Sequence, residues 1–84
     1  PNDPAIRDSL GWVLYKRGEY DAALGHLRAA MNTMPDPEVA AHLGEVLWAT
    51  GEEDEARSIW QDAINDNPSS EFLLKTLQRL NVQL

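Results

Sequence analysis

Residues 4–36 read PAIRDSLGWVLYKRGEYDAALGHLRAAMNTMPD, and residues 37–69 read PEVAAHLGEVLWATGEEDEARSIWQDAINDNPS. When the second stretch is laid over the first, 12 of the 33 positions carry the same residue. Two shared positions are glycines, Gly11 and Gly18 in the first stretch and Gly44 and Gly51 in the second. A repeat of this length predicts an array of stacked units, because each unit buries its apolar face against the next.

Each unit begins with signals for a helix that starts at its first residue. Asp3 and Asp36 each precede a proline, so the carboxylate can accept hydrogen bonds from free N–H groups while the proline occupies the first turn. Leucine and valine then recur at helical spacing. Gly18 and Gly51 follow, and glycine readily adopts the left-handed conformation that ends a helix. The pattern therefore predicts a first helix in each unit that ends just before these glycines.

The remainder of each unit predicts a second helix, and a fifth helix follows the second unit. Small and apolar residues at helical spacing place the second helices at roughly 21–33 and 54–66, and a proline stops each one. The fifth helix is predicted to run from Ser69 or Ser70 to about Leu80.

The composition limits the classes of partner. The 84 residues hold 14 Asp and Glu against 7 Lys and Arg, which gives a net charge of −7. A chain of this charge repels phosphate backbones and anionic membrane surfaces, so neither nucleic acid nor a membrane is expected as a partner. No apolar run approaches the roughly 20 residues that a membrane-spanning helix needs. With no cysteine, the chain can form neither a disulfide nor a thiolate metal site.

Several residue types recur at fixed offsets in both units. They fall in the first unit at Leu10-Gly11, Leu14, Gly18, Tyr20, Ala23, Leu27, Ala30 and Pro35, and in the second at Leu43-Gly44, Leu47, Gly51, Glu53, Ala56, Trp60, Ala63 and Pro68. At these positions the chain resembles the tetratricopeptide repeat over nearly its whole length. The resemblance implies an all-α fold, a right-handed helical solenoid of helix-turn-helix repeats. It also implies a core position for Trp60 and one domain over residues 1–84, with repeat one at 4–36, repeat two at 37–69, and a capping helix and frayed tail at 70–84.

In this family the first helices of successive units line a concave groove that holds a segment of a partner protein. The resemblance therefore implies a protein–protein interaction module. An internal apolar or basic segment is the expected ligand, with Trp12 as its anchor and Asp8 and Glu45 as complementary charges. The groove-facing positions fall on Asp8, Trp12, Tyr15, Lys16, His42, Glu45, Trp48, Lys75 and Arg79.

Two tryptophans among these positions also have structural interpretations. Trp12 has Glu45 as its counterpart in the second unit, so the repeat does not require an aromatic residue there. It is therefore either a ligand anchor or a residue that packs against a preceding unit. Trp48 matches Tyr15 of the first unit, and we expect it to pack between neighbouring first helices.

The sequence offers no set of residues for catalysis or metal binding. His42 and Glu45 stand three residues apart, but zinc needs three or four ligands and no third one is spaced for it. Ser9 adjoins Asp8, yet neighbouring residues on a helix point apart, so the two cannot form a nucleophile and its base. We therefore expect no enzyme activity, no cofactor and no metal.

A second function remains open alongside the binding module. Pro1 falls where the closing proline of a preceding repeat would lie, which predicts that the chain comes from the carboxyl end of a longer array. In this alternative the chain is an architectural cap that forms a weak homodimer through Ile6, Leu10 and Val13. Runs such as residues 8–12 and 40–45 also resemble the C-terminal repeats of bacterial, envelope-associated members of the family, which favours the cell envelope or periplasm as location.

Overall fold

The computed structural model describes residues 3–84, and within them the chain folds into five α-helices with no strand. The helices are α1 (Pro4–Lys16), α2 (Tyr20–Thr33), α3 (Pro37–Ala49), α4 (Glu53–Asp66) and α5 (Glu71–Leu80). Each begins within one or two residues of the position that the sequence predicts, and the all-α helical repeat fold is confirmed. The expectation about Pro1 lies outside the described residues.

The predicted signals at the helix ends are present as specific bonds and dihedral angles. Asp3 accepts a hydrogen bond from the N–H of Ala5 at 2.9 Å, and Asp36 caps α3 in the same way. Gly18 and Gly51 have φ angles of 82° and 90°, in the left-handed region that glycine enters without a steric cost. The capping residues and the glycines therefore fix where the helices begin and where the chain turns between them. The positions of these turns determine which faces of the paired helices pack together.

The helices form two layers. Within each unit α1 packs on α2 and α3 packs on α4, while α2 lies against α3 and α5 packs on α3. The first helices α1, α3 and α5 therefore lie side by side, which places their outward faces on one continuous surface. None of the helices in the described part is long and apolar enough to cross a membrane.

Close packing inside each pair explains the glycines of the two Leu-Gly sequences. Trp60 is fully buried, as the sequence predicts, and its indole lies directly against Gly44, where a Cβ atom would overlap the ring. A Cβ atom at Gly11 would lie 2.7 Å from Cγ of the buried Leu27. The two helices of each unit can approach this closely only because neither glycine carries a side chain.

Candidate functional site

Three aromatic rings from three different helices form a row across the layer of first helices. The Trp12 ring on α1 stacks on the His42 ring on α3, with centroids 4.1 Å apart and planes 20° apart. His42 then packs against Phe72 on α5 in a T-shaped arrangement, with centroids 5.3 Å apart and planes at 82°. Trp12, His42 and Phe72 together form the aromatic row. The His42–Phe72 distance lies in the range of roughly 4.5–7 Å in which aromatic pairs attract each other beyond simple burial, and the Trp12–His42 pair is a closer, nearly parallel stack.

A buried hydrogen bond fixes the central ring of the row. Asp8 Oδ1 on α1 lies 2.8 Å from His42 Nδ1 on α3, and the two residues are only 5% and 8% exposed. An ionised carboxylate can only accept, so the Nδ1–H of His42 donates this bond. Asp8 therefore holds the imidazole in the orientation that lets it touch Trp12 on one side and Phe72 on the other.

A second polar link joins the next pair of first helices. The guanidinium of Arg79 on α5 donates two hydrogen bonds to the carboxylate of Glu45 on α3, which is 4% exposed. The Tyr15 hydroxyl on α1 lies 3.4 Å from the same carboxylate. The link spans 34 residues, as does the one between Asp8 and His42. Both buried carboxylates are thus held by a basic side chain on the following first helix.

These contacts shift two pKa values. The hydrogen bond from Arg79 to Glu45 raises the pKa of the guanidinium above its usual range, because the carboxylate favours the charged form. Burial raises the pKa of the Tyr15 hydroxyl, and the negative charge of Glu45 adds to the increase.

Two lysines follow the outer rings of the aromatic row by one helical turn, on α1 and on α5. Lys16 Nζ is 5.0 Å from the centroid of the Trp12 ring, which is a cation–π contact. Lys75 is exposed on α5, three residues after Phe72 and hence on the same face of that helix. Neither lysine takes part in an ion pair within residues 3–84.

The remaining tryptophan of the expected groove lies elsewhere. Trp48 was expected to pack between neighbouring first helices, but its ring lies 5.7 Å from that of Trp60 on α4. The guanidinium of Arg57 lies over its outer side, 5.3 Å from the centroid. Trp48 therefore packs on the second helix of its own unit, because the side of α3 that carries it faces α4, and it does not join the aromatic row.

His42 and Glu45, the pair that the sequence rejects as a metal site, have different partners: Glu45 contacts Tyr15 and Arg79. Asp8, Glu38 and His42 instead form a group whose nearest ligand atoms lie within 4.8 Å of one another. One oxygen of Asp8 and one nitrogen of His42 are already bonded to each other in that group. We therefore assign the group a structural role in holding the imidazole.

Phe72 is the member of the row that the sequence did not identify. It is an apolar residue near the start of the fifth helix, and 43% of it is exposed. The available signal is the spacing, since Phe72 follows His42 by 30 residues, as His42 follows Trp12.

Two comparisons with known proteins agree with this architecture. The model of a family described as tetratricopeptide repeat matches residues 14–80 of the chain. A TPR repeat-containing protein of Pseudomonas aeruginosa is 50% identical to the chain over 36 residues, which are 43% of this chain and 6% of that protein. The chain thus aligns with only a small fraction of the length of that curated relative.

Proposed function

The chain belongs to the tetratricopeptide repeat family, and we propose that its layer of first helices binds a segment of a partner protein. Repeats of this family are in general non-catalytic modules for protein–protein interaction. What this proposal adds is the place of binding, the aromatic row, and the residues that hold it in position.

The observation that carries the proposal is the row itself. Trp12 is half-buried and Phe72 is 43% exposed, so both rings present apolar surface that the chain does not cover. Tryptophan is among the residues most often found at the energetic centres of interfaces. Trp12 and Phe72 lie on the two outer helices of the layer, so a segment lying along the row would contact both rings and pass over the buried His42.

The buried polar links support this role because they order the face before any partner arrives. Asp8 fixes His42, and Arg79 fixes Glu45, across successive helices. A ligand that meets ordered side chains loses less of its binding free energy to ordering them.

Because of these hydrogen bonds, the face offers a ligand less negative charge than the sequence predicts. Asp8 and Glu45 were expected to offer negative charge to a ligand, but both are buried and hydrogen-bonded inside the chain. A basic segment would have to displace His42 or Arg79 to reach them, which would leave a buried group without its partner.

The proposal can be tested by selecting random dodecapeptides displayed on phage against the immobilised chain. Clones should be counted for binding to the wild type, to Trp12→Ala and to Phe72→Ala. We expect a recovered set that loses binding on both variants, because each removes a ring of the row. Gln61→Ala is the matched control, since Gln61 is exposed on α4 in the other layer. Peptides that bind all four proteins equally would contradict binding on the row.

A second candidate function, self-association through the outer face of α1, rests on a different observation. Ile6, Leu10 and Val13 are 59%, 43% and 52% exposed. The residues 33 positions later are the same or similar and are at most 2% exposed, namely Val39, Leu43 and Val46. The equivalent face of α3 is covered by α2. A helix pair of another unit or of another copy could cover the face of α1 in the same way. Resonances of Ile6, Leu10 and Val13 that shift with protein concentration alone would support this candidate.

A further inference from the structure

The aromatic row continues beyond Trp12 through two tyrosines of the first unit. The Tyr15 ring lies 5.1 Å from the Trp12 ring, and the Tyr20 ring lies 5.7 Å from the Tyr15 ring. Tyr20 is the first residue of α2, so the contacts pass round the turn that joins α1 to α2. The rings of Phe72, His42, Trp12, Tyr15 and Tyr20 together form the five-ring surface.

The five-ring surface offers a partner three rings that are separated by two inner ones. Phe72 and Tyr20 at its ends are 43% and 42% exposed, and Trp12 at its centre is half-buried. Of the rings between them, His42 is only 8% exposed, and Tyr15 is half-buried with its hydroxyl 3.4 Å from a buried carboxylate. A segment laid along the surface therefore meets three contact rings, those of Phe72, Trp12 and Tyr20.

Two of the contact rings carry hydrogen-bond donors that the chain itself does not use. Within residues 3–84, neither the indole N–H of Trp12 nor the hydroxyl of Tyr20 donates to another group. The ammonium group of Lys16 lies 5.0 Å from the centroid of the Trp12 ring and adds a third donor. An occupant that presents carbonyl oxygens matches these donors.

The exposed charges beside the five-ring surface balance each other. Around the aromatic row, the exposed charges outside ion pairs are two lysines and two glutamates, namely Lys16, Lys75, Glu38 and Glu71. Beside Tyr20, Arg17 pairs with Glu19, and Asp21 follows on a different side of α2. A charged segment would gain from one sign and lose to the other, so the pattern favours an occupant without ionised side chains.

We infer that the occupant of the five-ring surface is an uncharged, proline-rich segment of a partner protein in the polyproline II conformation. This helix has three residues per turn and rises about 3.1 Å per residue, so one side repeats about every 9 Å. Two ring contacts of 5.3 and 4.1 Å lead from Phe72 to Trp12, and two of 5.1 and 5.7 Å lead from Trp12 to Tyr20. Prolines three residues apart therefore lie on successive contact rings. The inference rests on the proposed function, because it names the ligand of the same face.

A polyproline II helix supplies what the donors and charges of this surface require. It makes no internal hydrogen bonds, so its carbonyl oxygens are free to accept from Trp12, Tyr20 and Lys16. Proline-rich segments dock on aromatic-lined surfaces, and their preformed conformation leaves little entropy to lose on binding. Proline carries no charge, so the segment meets no net repulsion from the mixed charges around the row.

The peptides recovered from the phage selection test the inference through their composition. We expect those that require both Trp12 and Phe72 to carry prolines three residues apart and few charged residues. Ring-dependent peptides without this proline spacing would overturn the inference and leave the proposed function standing. Recovery of no ring-dependent peptide would overturn both.

A synthetic probe tests the conformation directly by fluorescence anisotropy. Fluorescein-labelled dodecaproline should bind the chain, whereas an equally long peptide of alternating glycine and serine, which is uncharged but flexible, should not. Raising the salt concentration from about 50 to about 500 mM should change the affinity for dodecaproline by less than about twofold, because no charge pair forms. Absence of dodecaproline binding, equal binding of the two peptides, or a larger salt effect would each overturn the inference.

Substitutions at the two ends of the surface locate the bound probe. Tyr20→Ala and Phe72→Ala should each weaken dodecaproline binding about fivefold or more, as at the centres of interfaces. Tyr20→Phe should weaken it about threefold, because this variant keeps the ring against Tyr15 and removes only the hydroxyl donor. It therefore tests the site even where alanine disturbs the turn.

Leu74→Ala is the matched control for Phe72→Ala. Leu74 is 45% exposed on the same helix, but it lies two residues from Phe72 and hence on a different side. The affinity of this variant for dodecaproline should stay within about twofold of the wild type. Equal losses in Leu74→Ala and Phe72→Ala, or unchanged affinity in both Tyr20 variants, would overturn the inference.

Discussion

Asp8 Oδ1 on the first helix and His42 Nδ1 on the third lie 2.8 Å apart although 34 residues separate them in the chain. The bond joins one repeat to the next inside the protein, where both side chains are nearly inaccessible to water. It also sets the orientation of the ring that lies between Trp12 and Phe72. One buried pair therefore contributes both to the stacking of units and to the shape of the proposed binding face.

Asp8→Ala is expected to destabilise the fold by about 1–3 kcal/mol, because it leaves the buried Nδ1–H of His42 without its acceptor. Urea unfolding followed by circular dichroism measures the difference. Asp62→Ala is the control, since Asp62 is exposed on α4 and such substitutions usually change stability by less than about 0.5 kcal/mol. Equal midpoints for the two variants would show that the bond contributes nothing to stability.

Two glycine substitutions should act in opposite directions. Gly44→Ala places a methyl group where the Trp60 indole lies, and we expect a loss of about 1–3 kcal/mol. Gly25→Ala meets no atom within 4 Å on α2 and should stabilise the protein by about 0.5–1 kcal/mol, because alanine favours the helix. Thermal melts of both variants measure this. A Gly44→Ala protein as stable as Gly25→Ala would contradict the close packing of α3 on α4.

Arg79→Ala should cost more stability than Arg28→Ala, although each removes one ion pair. Glu45, the partner of Arg79, is 4% exposed, so losing its donors leaves a buried carboxylate and costs about 1–3 kcal/mol. Arg28 pairs with Glu55 at the surface, where side chains are 46% and 41% exposed and such pairs contribute about 0–1 kcal/mol. Denaturant unfolding compares the two variants. A larger loss in Arg28→Ala would be inconsistent with the structure.

The pH dependence of stability should include a contribution from Tyr15 in alkaline solution. Burial and the charge of Glu45 raise the pKa of the folded-state hydroxyl above 10.0. The folded state then keeps a proton that the unfolded state loses, so the contribution is fully present below pH 10.0 and is lost as the pH rises through the higher folded-state value. Tyr15→Phe should remove this part of the alkaline decline. The difference in phenolate absorbance between wild type and Tyr15→Phe should titrate above pH 10.0, and a difference that titrates below it would contradict the burial of this hydroxyl.

The helices could be predicted from the sequence because their ends depend on neighbouring residues. Asp3 and Asp36 cap the helices that they precede, and Gly18 and Gly51 turn the chain with positive φ. The core position of Trp60 followed from its slot in the repeat and is also confirmed. Each of these features is set by residues close in the chain or by the repeat phase.

The contacts of the binding face could not be predicted in the same way, because they depend on how neighbouring first helices are offset. Spacings of 30 and 34 residues bring His42 to Phe72 and Glu45 to Arg79, and a repeat of 33 specifies neither. For the same reason the sequence did not predict the hydrogen bond between Asp8 and His42. It also did not predict that Trp48 packs on Trp60 of α4.

Trp12→Ala should weaken binding of a recovered peptide by about 2 kcal/mol or more, the size of loss seen at the centres of interfaces. The helical content should not change, because the ring is half-buried at the surface and lies outside the core around Trp60. Fluorescence anisotropy gives the affinity and far-ultraviolet circular dichroism gives the helicity. Unaltered affinity would remove Trp12 from the proposed site.

The most direct test of binding on the aromatic row is nuclear magnetic resonance mapping of the labelled chain during titration with the best recovered peptide. We expect the shifted resonances to cluster on Trp12, His42, Phe72 and Arg79, and those of α2 and α4 on the other layer to stay unchanged. Shifts confined to the outer face of α1, at Ile6, Leu10 and Val13, or to α2 and α4, would contradict it.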